Sequence, residues 1–261
     1  MPQSFFEWIV FLVKEYYPLF LRGVGVTLAV SITGTVIGFI IGLGVALLRT
    51  IPNEGKRYGV VRRALVGAAK FICTVYVEVF RGTPMMVQAM VMYYGWLAAA
   101  LSGLGDVGKG IVSAIIIISI NTGAYMAEIV RGGIISVDRG QTEGAMSVGM
   151  THWQTMVGVI FPQAVRNIMP AIGNEFVVNI KDSSVLNVIA VAELFFNAKS
   201  AAGTYLRYFE VFTIVGLIYF VLTFTVTRLL RVVEKHMDGP DHYVILGSQS
   251  DVAPLEKKTH A

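Results

Sequence analysis

The chain has 261 residues, of which 55% are hydrophobic and only 15% charged, with a formal net charge of +4. So little charge in so apolar a chain excludes a soluble domain of this length with one buried core, and lipid is the solvent that accepts the surplus. A membrane protein with several crossings follows, and no nucleic-acid partner is expected.

The apolar run at 5–13 has no basic residue before it and no small-residue cleavage site after it, so it does not read as a signal peptide. Its cluster of Phe5, Trp8, Ile9, Phe11 and Leu12 before Lys14 reads as a helix lying in the membrane interface, an N-terminal segment over residues 1–17. The first uncharged stretch, 23–48, is long enough to cross and is fenced by Arg22 and Arg49, which are expected to mark its ends. Within it Gly34, Gly38, Gly42 and Ala46 recur every four residues, a stripe that lets another helix approach its backbone.

A basic loop follows, with Arg49, Lys56, Arg57, Arg62, Arg63 and Lys70. The second crossing begins near Phe71 and is interrupted by Glu78 and Arg81. Pro84 lacks an amide hydrogen and pushes Thr83 out of the helical region, so a kink or unwound turn is expected at 81–84. Cys73 stands alone and reads as packing. After a short Gly-rich connection at 102–109, the stretch 110–127 is the third crossing.

Residues 144–165 carry no Asp, Glu, Lys or Arg, but Ser147, Gly149, Thr151, His152, Gln154, Pro162 and Gln163 give them the texture of two short helices broken at Gly149. The fourth crossing is therefore placed at 167–192 despite Glu175, Lys181 and Asp182. Each central charge would cost roughly 2.5–3.5 kcal/mol against lipid, so these groups must face protein or water. The fifth crossing is 211–227, between Glu210 and Arg228, and a polar tail runs from 236 to 261. The reading is all-α, with five transmembrane helices, a permease domain at 18–235 and a cytoplasmic loop between the third and fourth crossings. Placing the basic loop inside puts 14 of the 21 Lys and Arg in the cytoplasm, the N-terminus outside and the C-terminus inside.

Gly103 to Lys109 matches the glycine–lysine half of a phosphate-binding loop, but Gly110 stands where Ser or Thr should hold magnesium. No metal cluster, nucleophile or acid–base pair has an interpretable spacing, and no catalytic or metal site is expected.

The stretches VEVFRGTPMMVQ at 77–88 and NTGAYMAEIVRGGI at 121–134, followed by GQTEGAMSVGMTHWQTMVGVIFPQAVRNIMPAIGNEF from 140, resemble the polar amino-acid permeases of ATP-binding-cassette importers. Glu143, Ala145, Gly149, Val159 and Pro162 occupy the positions of the loop motif these permeases share, while Gly144 and Phe161 depart from its usual Ala and Leu. The resemblance implies that the 139–162 loop couples the chain to a separate ATPase subunit through Gln141, Thr142, Glu143, Gly144, Ala145, Ser147, Val148, Gly149 and Met150. It also implies an extracytoplasmic substrate-binding protein, a second permease chain, identical or not, and a polar amino acid as cargo. ATP and magnesium belong in the partner ATPase, with no cofactor here. The setting is a bacterial-type inner membrane.

A zwitterion crossing lipid needs partners for both of its charges. The polar groups available for a substrate path are Glu78, Arg81, Thr83 and Gln88 on the kinked helix, Asn121 and Glu128 on the next, and Asn174, Lys181, Asp182, Ser183 and Ser184 on the broken one. Lys181 and Asp182 could equally form a structural ion pair or a gate. The kink and the broken stretch are expected to face each other across a polar cavity. The intramembrane charges alone would also allow a channel or an ion-coupled transporter, and the loop motif argues against it.

Overall fold

The computed structural model describes residues 2–51 and 59–237, all helix and short connections. Lys56 and Arg57 of the basic loop, and the tail from 238 onward, lie outside the described residues. The elements in order are α1 (Phe5–Thr50), α2 (Val60–Gly82) and α3 (Met85–Met92), which continues through a π turn (Tyr93–Leu97) into α4 (Ala98–Ala100). Then come α5 (Asp106–Ser136), α6 (Arg139–Ser147) and α7 (His152–Thr155). A second π turn (Met156–Ile160) leads into α8 (Phe161–Asp182), a 3-10 segment (Ser183–Ile189), α9 (Leu194–Tyr205) and α10 (Tyr208–Met237).

Three helices, α1, α5 and α10, are long and apolar enough to cross a membrane. The bent pair of 152–189 and 194–205, which turns by 56° at its break, has the length and composition of a fourth span or of a re-entrant loop. The expected second crossing is divided: α2 carries Arg62, Arg63, Lys70, Glu78 and Arg81, and 85–100 is a shorter apolar helix.

The expected helix end at Arg22 is wrong, because α1 is one helix of 46 residues with Pro18 inside it. An exposed arginine does not stop a helix whose next face is still needed, and Trp8, Leu12 and Phe20 are buried against α9 and α10. Residues 5–17 are thus continuous with the first span. The last span likewise runs past Arg228 to Met237. Helix α9 was not foreseen.

The glycine stripe packs α1 on α5 along most of their length. A Cβ at Gly34 would strike Ile118, one at Gly38 would lie 2.8 Å from Thr122, and one at Gly42 would strike Met126; Ala46 is buried in one cluster with Val130. Both partners' numbers rise by four at each step, so α1 and α5 run parallel. By the same reading α8 runs antiparallel to α5, since Gly133 abuts Ile168 while Thr122 meets Asn179. Along α1 in the reverse sense, Thr35 meets Asn179, Gly23 meets Leu194 and Trp8 meets Tyr205.

One buried amide ties these three helices. Asn179 donates from Nδ2 to Thr35 Oγ1 at 2.8 Å and accepts at Oδ1 from Thr122 Oγ1 at 3.0 Å, while its carbonyl accepts from Ser31 Oγ at 3.0 Å. A polar group this deep is tolerated because it is satisfied.

Candidate functional site

The loop between α5 and α8 is built by local chemistry. Asp138 caps α6, its carboxylate accepting from the Gly140 amide at 2.7 Å. The helix ends where Gly149 takes a φ of +87°. There the Met150 amide reaches the Ala145 carbonyl at 3.2 Å and the Gly149 amide reaches Met146 at 3.0 Å. These two bonds are the Schellman closure, in which a glycine accepts the left-handed conformation at no steric cost. Thr151 then starts α7 in a capping box with Gln154. Two short helices thus flank Gly149, rigidly joined.

Their surface is open. Gln141, Glu143, Gly144, Ser147, Val148 and Gly149 are exposed, Thr142 and Met150 are half-buried, and only Ala145 of the expected coupling residues is buried. Val148 is 78% exposed, Trp153 66% and Met146 46%. Large apolar side chains thus stand open on an otherwise polar loop.

The unwound turn at Thr83–Pro84 separates α2 from α3 and is stapled by two buried amides. Gln88 Nε2 donates to the Phe80 carbonyl at 2.9 Å, the Thr83 carbonyl at 2.9 Å and Thr83 Oγ1 at 2.8 Å. Gln88 Oε1 accepts from Asn121 Nδ2 at 2.8 Å. These bonds reach carbonyls near the break that proline and the turn deprive of helical donors. Thr83, Gln88 and Asn121 are therefore brought together as the support of the turn.

The other expected path residues divide. Glu128 lies between Arg49 and Arg131, bonding Arg131 at 2.7 Å, and is neutralised there, away from the turn. Ser183 and Ser184 bond the carbonyls of Ile180 and Lys181 in their own helix. Glu78, Arg81, Asn174 and Lys181 are exposed on the single chain, with the Arg81 guanidinium 5.6 Å from the Tyr125 ring centre. None of the four ion pairs joining described residues includes Lys181, Asp182, Glu78, Arg81 or Glu175. The 181–182 ion pair is thus absent here.

Just past the two broken stretches the contact is apolar. Helix α3 packs on the 3-10 segment through one apolar cluster that includes Ala89, Met92, Leu186 and Ile189. Apolar residues fill that contact because it closes the bundle around the satisfied amides. A cavity of about 400 Å³ lies instead toward one end, among Arg22, Tyr93, Asp106, Lys109 and 189–192.

Sequence reading also missed Glu193. It is 1% exposed, and its carboxylate caps α9 by accepting from the amides of Phe195 at 2.8 Å and Phe196 at 2.7 Å, and from Tyr219 Oη at 3.1 Å. Its signal was a carboxylate just before an apolar helical run. Asn179 left only one polar letter in an apolar stretch.

The profile of the family described as "Binding-protein-dependent transport system inner membrane component" matches residues 60–239. The chain belongs to this family. The importer permease is 33% identical to the glutamine transport system permease protein GlnP of Escherichia coli over 220 residues, covering 84% of this chain and 93% of that one. It is 35% identical to the nopaline transport system permease protein NocM of Agrobacterium fabrum over 256 residues, covering 95% and 98%. A crystal structure of an amino acid ABC transporter with histidines superposes with a TM-score of 0.71 at 35% identity, covering 90% of this chain and all of that one. The methionine transporter MetNI shares the fold, with a TM-score of 0.69 at 19% identity over 85% and 98% of the two chains. The chain is thus a membrane-spanning permease subunit of an ATP-driven importer, an inner-membrane component, and ATP hydrolysis belongs to a separate subunit.

Proposed function

We propose that this permease carries polar amino acids, works as half of a transmembrane dimer, and is driven through its 139–162 loop by an ATPase subunit that binds ATP and magnesium. The observation that carries the reading is the loop itself: two short helices locked around Gly149, exposing Met146, Val148 and Trp153 with no cover among the described residues. The amino-acid class comes from the relatives' own substrates. An external binding protein delivers the cargo, as the family's description implies.

Five crossings, with the N-terminus outside and the C-terminus inside, fit the helix directions. Because α1 and α5 run parallel, the chain between them must return across the membrane, and only α2 with α3 and α4 is available. The path is assigned to the surface carrying Glu78, Arg81, Thr83, Asn174, Lys181 and Asp182, where a second permease chain would face it. Gln88, Asn121, Ser183 and Ser184 line it from behind, and Glu128 guards its inner end with its two arginines.

The test is uptake into vesicles by the purified complex with its binding protein, using labelled glutamine, arginine and histidine. Uptake of at least one, dependent on ATP, is expected, and Gly149→Trp should abolish it while the permease stays in the membrane. Normal ATP-coupled uptake by Gly149→Trp would remove the coupling assignment. Ion flux without ATP would favour the channel.

A further inference from the structure

The cavity of about 400 Å³ at the start of α5 is walled by four parts of the chain. Arg22 and Val26 stand one turn apart on α1, Tyr93 opens the π turn after α3, 106–111 begin α5, and 189–192 are the break before α9. The break is a fixed wall. Ala190 turns it with a φ of +59°, Asn197 Nδ2 donates to the Ala192 carbonyl at 3.3 Å, and the Leu194 amide donates to Thr27 Oγ1 on α1 at 3.3 Å. The volume falls in the range of small-molecule sites, about 300–1,000 Å³.

Both signs of charge face this space. Among the described residues Arg22 makes no hydrogen bond or ion pair. Lys109 Nζ bonds Asp106 Oδ1 at 3.0 Å, and the Asp106 side chain is 98% exposed, so its second oxygen is open. The rest of the lining is largely apolar, through Val26, Ile111 and Val191. A guanidinium without an anion, a carboxylate with a spare oxygen and an apolar floor match a small zwitterion with an aliphatic stem. The position suits cargo as well. From Asp106 to Ser136 helix α5 rises about 45 Å, so the cavity and the 139–162 loop lie at opposite ends of one spanning helix. Tyr93 lies beyond the Thr83–Pro84 turn, and Ala190 ends the 3-10 segment that follows Asp182, so the cavity adjoins the surface assigned to the substrate path.

We propose that this cavity is an entry subsite for the amino-acid cargo, at the end of the permease remote from the ATPase. Arg22 takes the α-carboxylate, the open oxygen of Asp106 takes the ammonium, and the apolar floor takes the stem of the side chain. Cargo released by the binding protein meets these groups before it reaches the path. The inference rests on the reading that the permease carries polar amino acids, and it adds the place where the cargo first touches this chain.

Cysteine protection tests it on the whole complex in lipid nanodiscs, without ATP or binding protein and with Cys73→Ser as background. Val107→Cys and Ala192→Cys each place a thiol on a different wall, and either reports the cavity if the other blocks assembly. Saturating glutamine, arginine or histidine should slow modification by a thiosulfonate reagent several-fold, whereas histamine, which lacks the carboxylate, should not. Arg22→Gln should raise the amino-acid concentration needed by about 10- to 100-fold. Absence of protection at both positions by an amino acid that the same complex takes up into vesicles would overturn the proposal, and so would protection unchanged by Arg22→Gln. Slowing that follows the phosphatidylethanolamine or phosphatidylglycerol content of the disc, and not the amino acid, would make the cavity a headgroup site and overturn it too. Failure of the wild-type complex to take up any of the three amino acids would instead remove the amino-acid reading, and the subsite with it.

Discussion

Gly42→Ala and Gly44→Ala place the same methyl group two residues apart on one helix, and the structure assigns them opposite effects. At Gly42 the new Cβ would strike Met126 Cβ and stand 2.7 Å from the Ala127 amide nitrogen and 2.8 Å from the Met126 carbonyl carbon. Two of these three neighbours are backbone, so no rotamer change relieves them. Carbon contacts settle near 3.5–4.0 Å, so α5 must retreat by roughly 1 Å at that point. Overpacking of this kind costs about 1–3 kcal/mol, and replacing a helical glycine returns only about 0.5–1 kcal/mol. A net loss of roughly 1–2 kcal/mol is expected for Gly42→Ala. At Gly44 nothing lies within 4 Å, so only the gain remains. The gain is common to both, so they differ by the overpacking cost of about 1–3 kcal/mol, and by the scale for domains of this size, about 2–4 °C per kcal/mol, the two variants should melt roughly 2–12 °C apart. The assay is thermal unfolding of the purified complex in detergent, read by loss of monodisperse material. Equal melting of the two variants, or a loss at Gly44 as large as at Gly42, would refute the parallel α1–α5 contact.

Removing the Asn179 amide with Asn179→Ala leaves the Thr35 and Thr122 hydroxyls without their partner, an expected loss of about 1–3 kcal/mol in the same melt; an unchanged melt would show the amide is not a hub. Gln88→Ala and Asn121→Ala share one hydrogen bond, so the double variant should lose less than the sum of the singles by about 0.5–3 kcal/mol, and strict additivity would deny the staple. A cysteine replacing Ser102 should react with an impermeant reagent from outside and one replacing Ser147 only from inside; the reverse pattern would invert the proposed orientation.

What could be read in the sequence was chemistry that acts within a few residues. Pro84 breaks the helix through its own missing hydrogen, Gly149 ends α6 through its own permitted φ, and the four-residue recurrence of Gly34, Gly38 and Gly42 needs no partner to be visible. What was not legible depends on the other side of a contact. Arg22 looks like the end of a span until Trp8 and Leu12 are seen buried on α9. Asn179 looks like a minor polar letter until Thr35 and Thr122 arrive from two other helices. Gln88 and Asn121 could be picked out as intramembrane polars beside Lys181 and Asp182, but not their bonds to each other and to the Phe80 carbonyl, which make them the support of the turn.

The same distribution of contacts says how a load at the proposed coupling loop would travel. Helices α5 and α8 flank that loop, and they are clamped to each other twice, where Gly133 meets Ala164 and Ile168 close to the loop and where Thr122 meets Asn179 deeper in the bundle. Helix α1 joins the clamp through Ser31, Thr35 and the glycine stripe. A push on α6 therefore has no slack to take up between these three helices and must displace them as one body. The compliant points lie elsewhere: at Thr83–Pro84, where a few side-chain bonds replace helical ones, and at Ala190, whose φ of +59° marks the turn between the 3-10 segment and α9. Both adjoin the surface assigned to the substrate path. If the ATPase presses on α6, relative motion should appear between the α1–α5–α8 body and the α2–α3 arm, and a disulfide bridging that arm to the body would stop transport while leaving ATP binding intact.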